Sequence, residues 1–177
     1  MEKIFNVALS FATEEQALAE NVYHYLKAEG FKVFFAPKPE CQMFLSGENQ
    51  RESFYRIFGL ESEYVALFVS KHYVVKDVPI EEARIAFSKH GNSGKVIPIY
   101  IDGTPLPKDI LDPKDTNYFR SNNPVEITNH IAGKIKVKNN QKKDINATSA
   151  QNNGMNISGN IADKQVFIQT VTGDIKL

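Results

Sequence analysis

The sequence has 177 residues, and its shares of hydrophobic (42%) and charged (24%) side chains predict one globular domain plus an appendage. Acidic and basic residues balance to a formal net charge of zero, so the overall charge favours neither nucleic acid nor anionic lipid as a partner. The single cysteine, Cys41, excludes an internal disulfide framework. Because no apolar stretch is long enough for a signal sequence or a membrane span, we expect a cytoplasmic protein without a membrane partner.

The first part of the chain predicts strand, helix and strand. Residues 4–9 (IFNVAL) form a short apolar run, as expected of a buried parallel strand. Apolar residues at helical spacing follow as far as Gly30, and residues 31–35 (FKVFF) predict the second strand. Residues 36–47 contain two prolines and no period, which predicts a loop, and Ser46 is placed to cap the next helix.

The same alternation continues through the second part of the chain. Residues 64–69 (YVALFV) predict a third strand, and Pro79 fits the first turn of the helix that follows it. Residues 96–101 (VIPIYI) predict a fourth strand, residues 118–119 a short fifth strand, and Pro124 opens a last helix. Strands that alternate with helices favour the α/β class, here a flavodoxin-like, doubly wound parallel sheet of five strands.

This fold class predicts where a functional site would lie. In a doubly wound sheet the crevice lies beyond the carboxyl ends of the strands, at the point where the strand order reverses. In the flavodoxin-like order that point is between the first and third strands, which end at Ser10 and Ser70. These two serines are therefore candidate site residues.

The composition changes after about residue 136. Residues 1–135 are predicted to form the domain, and residues 136–154 are a polar stretch rich in Asn and Lys, which favours a linker. Residues 155–177 contain short alternating segments, which predict a small β appendage. A hairpin of this size is marginal by itself. The appendage is therefore either an assembly element, a hairpin docked on the domain, or a partly disordered tail.

Several familiar catalytic patterns are absent from the sequence. It contains no Walker-type phosphate loop, no GxGxxG after the first strand, and no Cys/His cluster with metal-ligand spacing, so no metal site is predicted. A triad could be assembled from Ser10 or Ser70 with His72, but no nucleophile elbow accompanies it.

One carboxylate, Glu82, is a candidate functional group. On a helical wheel it lies nearly opposite the face that carries Ile80, Ala83 and Phe87, among small apolar neighbours and close to the start of its helix. Two interpretations remain open: a catalytic carboxylate at the crevice, or a solvated acid that favours the helix dipole. The adjacent Glu81 is spaced to pair with a basic residue three positions later.

Three segments, in order along the chain, resemble bacterial TIR (Toll/interleukin receptor-like) domains. They are VALSFATEEQALAENVYHYLKAEGFKVFF, SEYVALFVSKHYVVKDVPIEEARIAF and IPIYIDGTPLP. The second is similar to the family's central stretch, in which an apolar strand ends in Ser, a short Tyr-containing loop follows, and a Glu opens the next helix. The resemblance covers residues 3 to 135 approximately.

The resemblance implies an NAD+ glycohydrolase. Counting through the matched segment places the family's catalytic Glu at Glu82, and the turn after the first strand, Ser10-Phe11-Ala12, is implied to line the same cleft. Phe35, Ser46, Gly47 and Ser70 are the other substrate-binding residues that it implies. NAD+ is then the substrate, with no further cofactor, and ADP-ribose or a cyclised form is the product.

The resemblance also implies TIR–TIR self-association, as a homo-oligomer or filament, and a role in antiphage defence or as a toxin. A partner protein is compatible with it. An alternative from another class is a catalytically silent TIR adaptor. Glu82 favours the enzyme, whereas Val78, where the family has Trp, and Ala36, where it often has an acidic residue, favour the adaptor. A receiver domain is disfavoured because Ser10-Phe11 stands where it needs an acidic pair.

Overall fold

The computed structural model describes residues 3–112, 114 and 119–152. Contacts divide the chain into two units, residues 1–140 and 141–177, and the described part of the second unit is the end of the last helix. The strands are β1 (Phe5–Ser10), β2 (Val33–Phe34), β3 (Ser62–Val69) and β4 (Val96–Tyr100). The helices are α1 (Gln16–Ala28), α2 (Pro39–Leu45), α3 (Gln50–Phe54), α4 (Asp77–His90) and α5 (Pro124–Asn152).

The four strands form a parallel sheet in the order β2-β1-β3-β4. The order reverses between β1 and β3, which pair in a register that sets Ser10 opposite Leu67. The prediction of an α/β, flavodoxin-like sheet is therefore confirmed. The reversal between the first and third strands is also as predicted, so the carboxyl ends of β1 and β3 bound the expected crevice.

Both faces of the sheet are covered by helices, which explains why its strands read as continuous apolar runs. In β3, Tyr64, Ala66 and Phe68 belong to one buried cluster, together with residues of α1 and α5. The alternate residues Val65 and Leu67 belong to a second cluster, together with residues of α3 and α4. The period of two along β3 therefore anchors α4 on one face of the sheet.

The predicted fifth strand is not a strand in the part of the chain that the structure describes. Only an isolated parallel bridge joins Arg120 to Tyr100 of β4, supported by a hydrogen bond of 3.0 Å from the Tyr100 amide to the Phe119 carbonyl. Ser121-Asn122-Asn123 then lead directly into α5 at Pro124, which leaves no room for a longer ladder. Tyr118 lies outside the described residues.

The segment predicted as a loop, residues 36–47, contains α2. Pro39 occupies the first turn, where a missing amide hydrogen is harmless, and Gly47 follows the helix with a positive φ of 82°. The prediction that Ser46 caps the next helix is wrong, because the Asn49 side chain accepts the Arg51 amide at the start of α3. The chain from α3 to β3 is a π-helical turn, Tyr55–Glu61.

The last helix does not end where the composition changes. α5 continues to Asn152, through most of the polar stretch predicted as a linker. Lys, Gln and Ala are good helix formers, so a polar composition without an apolar period does not prevent a helix. The predicted β appendage at residues 155–177 lies outside the described residues. Within the described ranges, no helix is both long and apolar enough to cross a membrane.

Candidate active site

The candidate site lies at the carboxyl ends of β1 and β3. β1 ends at Ser10, whose side chain is buried, and β3 is followed directly by the buried Ser70. The short turn Tyr73–Val75 leads from Ser70 into α4, which begins at Asp77. Because α4 packs against β1, its first turns lie beside the end of that strand.

Glu82 is buried at this position, with 8% of its surface exposed. Its Oε2 lies 2.6 Å from Ser10 Oγ, within hydrogen-bond distance. Burial raises the pKa of the Glu82 carboxyl to about 8, and the hydrogen bond that Ser10 can donate to the ionised carboxylate opposes part of that rise. The interpretation of Glu82 as a solvated acid is therefore wrong.

The helical wheel also misplaced this carboxylate relative to the core. Glu82 shares the buried side of α4 with Pro79, Ala83 and Ala86, whereas Ile80 and Phe87 are only partly buried. The wheel centred the buried face on the large side chains. The close packing of small residues against β1 and β4 instead turns Ala83, Ala86 and Glu82 inward. The largest apolar residues of a helix therefore do not always mark its buried face.

Sequence reasoning did not single out Tyr73, which completes the cluster. Its ring is fully buried, and its hydroxyl lies 2.7 Å from Ser10 Oγ. The same hydroxyl donates to the Pro79 carbonyl at 2.8 Å. Burial holds the pKa of the Tyr73 phenol well above its ordinary value, so the hydroxyl keeps its proton. The spacing of Tyr73 three residues after Ser70, one tight turn, was the signal that could have found it.

Ser70 holds the turn that carries Tyr73. Its Oγ accepts the backbone amides of His72 at 3.2 Å and Tyr73 at 3.1 Å. This arrangement is a local serine turn, which fixes the backbone directly after a strand. Ser70 therefore affects the cluster of Ser10, Tyr73 and Glu82 by fixing the position of Tyr73.

An open cleft of about 570 Å³ lies beside the cluster. It is lined by residues from the turn after β1 and from the start of α4: Phe11, Ala12, Thr13 and residues 75–79. This volume is within the usual range of ligand sites. Phe11 stacks on Phe35 with their ring centroids 5.1 Å apart, and Phe35 itself is fully buried. Phe11 and Ala12 thus line the cleft, while Phe35 supports Phe11 from below.

The other two predicted substrate-binding residues lie at the end of α2. Ser46 and Gly47 are exposed there, and no hydrogen bond described in the structure connects them to the cluster of Ser10, Tyr73 and Glu82. A role in substrate binding remains a prediction for both residues.

A larger cavity of about 670 Å³ lies between α3 and α4. Its lining includes Arg51, Tyr55, Glu81 and Arg84, which are exposed or half-exposed. The predicted pair of Glu81 with Arg84 is not formed, because Arg51 binds Glu81 at 2.6 Å and Arg84 binds Asp109. We regard the smaller cleft as the candidate site, because its lining includes Phe11, which follows Ser10, and Pro79, whose carbonyl accepts from Tyr73.

Three potential metal ligands meet near the cleft: Glu14, Glu15 and His72, whose ligand atoms lie within 4.8 Å of one another. They already have partners, however. His72 Nδ1 lies 3.0 Å from Glu15, and the Lys76 ammonium lies 2.5 Å from Glu14. His72 therefore pairs with Glu15, and the arrangement gives no support to a catalytic triad with Ser10 or Ser70.

Comparisons with known proteins agree with this architecture. Residues 7–132 match the family described as TIR domain. The chain is 31% identical over 137 residues to the 3′ cyclic ADP-D-ribose synthase AaTIR of Aquimarina amphilecti, an alignment that covers 75% of this chain and 40% of that protein. The chain therefore spans about two fifths of that relative's length. The TIR domain of the Toll-related receptor TRR-2 from Hydra magnipapillata has the same fold, with a TM-score of 0.53 and 16% identity over 66% of this chain and 83% of that one.

Proposed function

The chain belongs to the TIR domain family, and from that premise we propose that it is an enzyme that cleaves the nicotinamide–ribose bond of NAD+, with Glu82 as the catalytic carboxylate. The observation that carries the proposal is the position of Glu82. It is a buried carboxyl, hydrogen-bonded to Ser10 at the point where the strand order reverses, beside a cleft of ligand size.

One carboxylate is sufficient for this chemistry. The bond between ribose C1′ and the pyridinium nitrogen breaks, and nicotinamide leaves as a neutral molecule with the bonding electrons, so no general acid is required. Positive charge develops on the ribose, as in glycoside hydrolysis. An ionised Glu82 beside the ribose stabilises that charge. Water then adds to C1′ and releases a proton, which gives ADP-ribose; an internal hydroxyl or ring nitrogen of the substrate would give a cyclic product instead.

The lining of the cleft supports the binding of such a substrate. Phe11 offers an aromatic surface held in place by its stack on Phe35. Residues at the start of α4 line the same space, and helix N-termini favour anionic groups such as the diphosphate of NAD+. We assign substrate contact to Phe11 and Ala12 and to the hydroxyl of Ser10.

Self-association is part of the proposal. On α2, Met43 and Phe44 are 78% and 37% exposed, and two neighbouring apolar side chains at the surface favour contact with another protein. This segment follows β2, and we propose that it contacts a neighbouring protomer. The proposed setting, antiphage defence or a toxin, follows from the resemblance and would appear as loss of cellular NAD+ on expression.

The direct test is NAD+ consumption by the purified full chain over a wide range of protein concentration, with and without a crowding agent. Glu82→Ala should lose at least ~10²-fold in rate, as expected for a preorganised electrostatic group. Glu81→Ala is the matched control, since it removes the adjacent, partly exposed carboxylate that pairs with Arg51. Chromatography should resolve open from cyclic products, because the relative from Aquimarina amphilecti is a 3′ cyclic ADP-D-ribose synthase.

The same assay tests the alternative function, a catalytically silent adaptor. One observation favours that alternative: Val78, in the place of the family's Trp, lines the cleft with 41% of its surface exposed and offers no ring. No turnover at any protein concentration would leave the adaptor as the better assignment, and equal turnover by Glu82→Ala would overturn Glu82 as the catalytic carboxylate.

A further inference from the structure

Four groups form a continuous chain of hydrogen bonds at the candidate site. The Pro79 carbonyl lies 2.8 Å from the Tyr73 hydroxyl, that hydroxyl lies 2.7 Å from Ser10 Oγ, and Ser10 Oγ lies 2.6 Å from Glu82 Oε2. All three distances are those of hydrogen bonds between oxygens, and Ser10, Tyr73 and Glu82 are all buried. Each of the three contacts therefore needs a proton between its two oxygens.

The two hydroxyl groups supply only two of these three protons. A carbonyl oxygen has no proton to give, so Tyr73 must donate to Pro79. Ser10 must then donate to Tyr73, and its single proton is no longer available for Glu82. The contact between Ser10 and Glu82 is complete only if the carboxyl itself carries the third proton and donates it to Ser10 Oγ.

An ionised Glu82 would break this order. Ser10 would turn its proton to the carboxylate. The oxygens of Ser10 and Tyr73, 2.7 Å apart, would then have no proton between them. Tyr73 could supply one only by releasing the Pro79 carbonyl. The Pro79 carbonyl lies within α4, where the helix supplies a backbone donor, so its release by Tyr73 costs one hydrogen bond. The Tyr73 bond to Pro79 therefore favours the neutral form of Glu82.

We propose that Tyr73 is a positioning residue that acts through Ser10 to hold Glu82 as a neutral carboxylic acid in the ligand-free protein, and that the proton passes to solvent in the open cleft when the cationic nicotinamide–ribose part of the substrate occupies the site. This inference rests on the proposed function, because it takes Glu82 as the catalytic carboxylate. The neutral resting state avoids an unpaired charge in a buried site. The ionised state, which the developing ribose cation needs, forms when a positive charge is present to compensate it.

The charged groups around the site have other partners. On α4, Glu81 binds Arg51 and Arg84 binds Asp109, both at the surface. On the elements packed against α4, His72 pairs with Glu15, Glu61 pairs with Arg56, and His90 hydrogen-bonds to the Phe58 carbonyl. Of the groups bonded to Ser10 and Glu82 in the described structure, Tyr73 is the other one that titrates, and burial raises its pKa well above the ordinary value. The number of protons bound at the site therefore changes when Glu82 gains or loses its proton.

Two substitutions should move the titration of Glu82 in opposite directions. In Tyr73→Phe, Ser10 loses its acceptor and is free to donate to the carboxylate, so Glu82 should ionise at lower pH. In Ser10→Ala, both forms of Glu82 lose a partner; the charge-assisted bond that Ser10 donates to the ionised carboxylate is the stronger of the two, so Glu82 should ionise at higher pH. Each shift should be about 0.5 pH unit or more, the size expected for one buried hydrogen bond. A packing role alone for Tyr73 does not predict opposite shifts.

The experiment is a carboxyl ¹³C NMR titration of the ligand-free full chain labelled at glutamate, with Glu82→Gln to assign the signal. Tyr64→Phe is the matched control, because Tyr64 is fully buried and its hydroxyl has no hydrogen-bond partner among the described residues. We expect the wild-type and Tyr64→Phe signals to remain those of a protonated carboxyl at pH 6. Thermal melts of all variants establish that they are folded.

The outcomes separate this inference from the proposed function. Opposite shifts in the two variants support it whether or not NAD+ is consumed. An ordinary titration of wild-type Glu82 below pH 5, or shifts of Tyr73→Phe and Ser10→Ala in the same direction, would overturn it even if Glu82→Ala abolishes turnover. Where turnover is present, the acid limb of kcat/KM against pH should move to lower pH in Tyr73→Phe and stay in place in Tyr64→Phe.

Discussion

Ser10 Oγ lies 2.6 Å from Glu82 Oε2, although 72 residues separate them in the chain. The parallel pairing of β1 with β3 produces this proximity, because α4 follows β3 and returns across the same face of the sheet. The contact joins the end of the first strand to the second turn of a helix that begins eight residues after the third strand ends. The chemistry of the site is therefore a product of strand order rather than of any local motif.

The first prediction concerns stability against pH. The pKa of Glu82 rises from 4.5 to about 8 in the folded protein, so between these values the folded chain holds a proton that the unfolded chain has lost. This contribution to stability is fully present below pH 4.5 and is lost as pH rises through about 8. Glu82→Gln keeps the shape of the neutral acid and does not titrate. Its free energy of unfolding should therefore exceed that of the wild type by about 2 kcal/mol or more at pH 8.5, and by much less at pH 5.

Urea unfolding at the two pH values measures this difference. Glu81→Gln is the control, because it neutralises the adjacent, partly exposed carboxylate. An advantage of Glu82→Gln that is equal at pH 5 and pH 8.5 would contradict the assignment of a proton to Glu82.

The second prediction concerns the turn between α3 and β3. The Arg56 guanidinium binds both oxygens of the buried Glu61 at 2.9 Å, and it also contacts Glu48 at 2.8 Å and the Phe44 carbonyl at 2.6 Å. Arg56→Met leaves Glu61 without its cation in a site of low exposure, which should cost about 2 kcal/mol or more of stability. Arg51→Met is the matched control: its ion pair with Glu81 is exposed and should contribute less than about 1 kcal/mol.

Chemical denaturation of both variants at neutral pH and at two salt concentrations provides the comparison. The loss of stability in Arg56→Met should persist at high salt, because the ion pair of Arg56 with Glu61 is shielded from solvent. The small loss in Arg51→Met should disappear. Equal losses in the two variants would show that the network around Glu61 is not a special source of stability.

The third prediction concerns the single thiol. Cys41 is 2% exposed on α2, and burial raises its pKa. Its sulfur also accepts the Phe35 amide at 3.4 Å. The thiol should therefore react with a disulfide reagent at least ~10²-fold more slowly in the native protein than in 6 M urea, since reactivity needs an accessible thiolate. Rapid reaction of the native protein, followed by a colorimetric assay, would show that α2 opens readily.

The sequence was sufficient to predict the fold and the location of the crevice. The apolar runs that became β1, β3 and β4 are strong signals, and Ser10 and Ser70 stand at the ends of two of them. The prediction of a fifth strand was wrong. The structure has only an isolated bridge at Arg120, which depends on its position in the sheet and not on a strand pattern in the sequence. The helix α2 was missed because two prolines read as loop, although Pro39 at a first turn favours a helix.

The candidate site was harder to predict than the fold. Glu82 was identified, but local pattern left it open whether the carboxylate was solvated, because burial depends on the packing of Ala83 and Ala86 against the sheet. The spacing of Tyr73 from Ser70 could have placed it near the end of the strand, but its role is defined by distances to Ser10 and Pro79. Hydrogen bonds between distant segments follow from tertiary structure, and no spacing in the sequence encodes them.

The last prediction concerns the lining of the cleft. Val78 stands where the resemblance expects Trp, lines the cleft and is 41% exposed, so a larger side chain fits there without overpacking the core. If the proposed function is right, Val78→Trp should raise kcat/KM for NAD+ by about threefold to tenfold, because one aromatic contact contributes about 0.5–1.5 kcal/mol. Val125→Trp is the control for the mere addition of an exposed ring, since Val125 is similarly exposed on α5 and does not line the cleft. Steady-state kinetics of the two folded variants, read as separate changes in kcat and KM, give the result. A gain confined to KM would indicate ground-state contact with the substrate, whereas an unchanged or lower kcat/KM would mean that the missing ring does not limit substrate binding at this cleft.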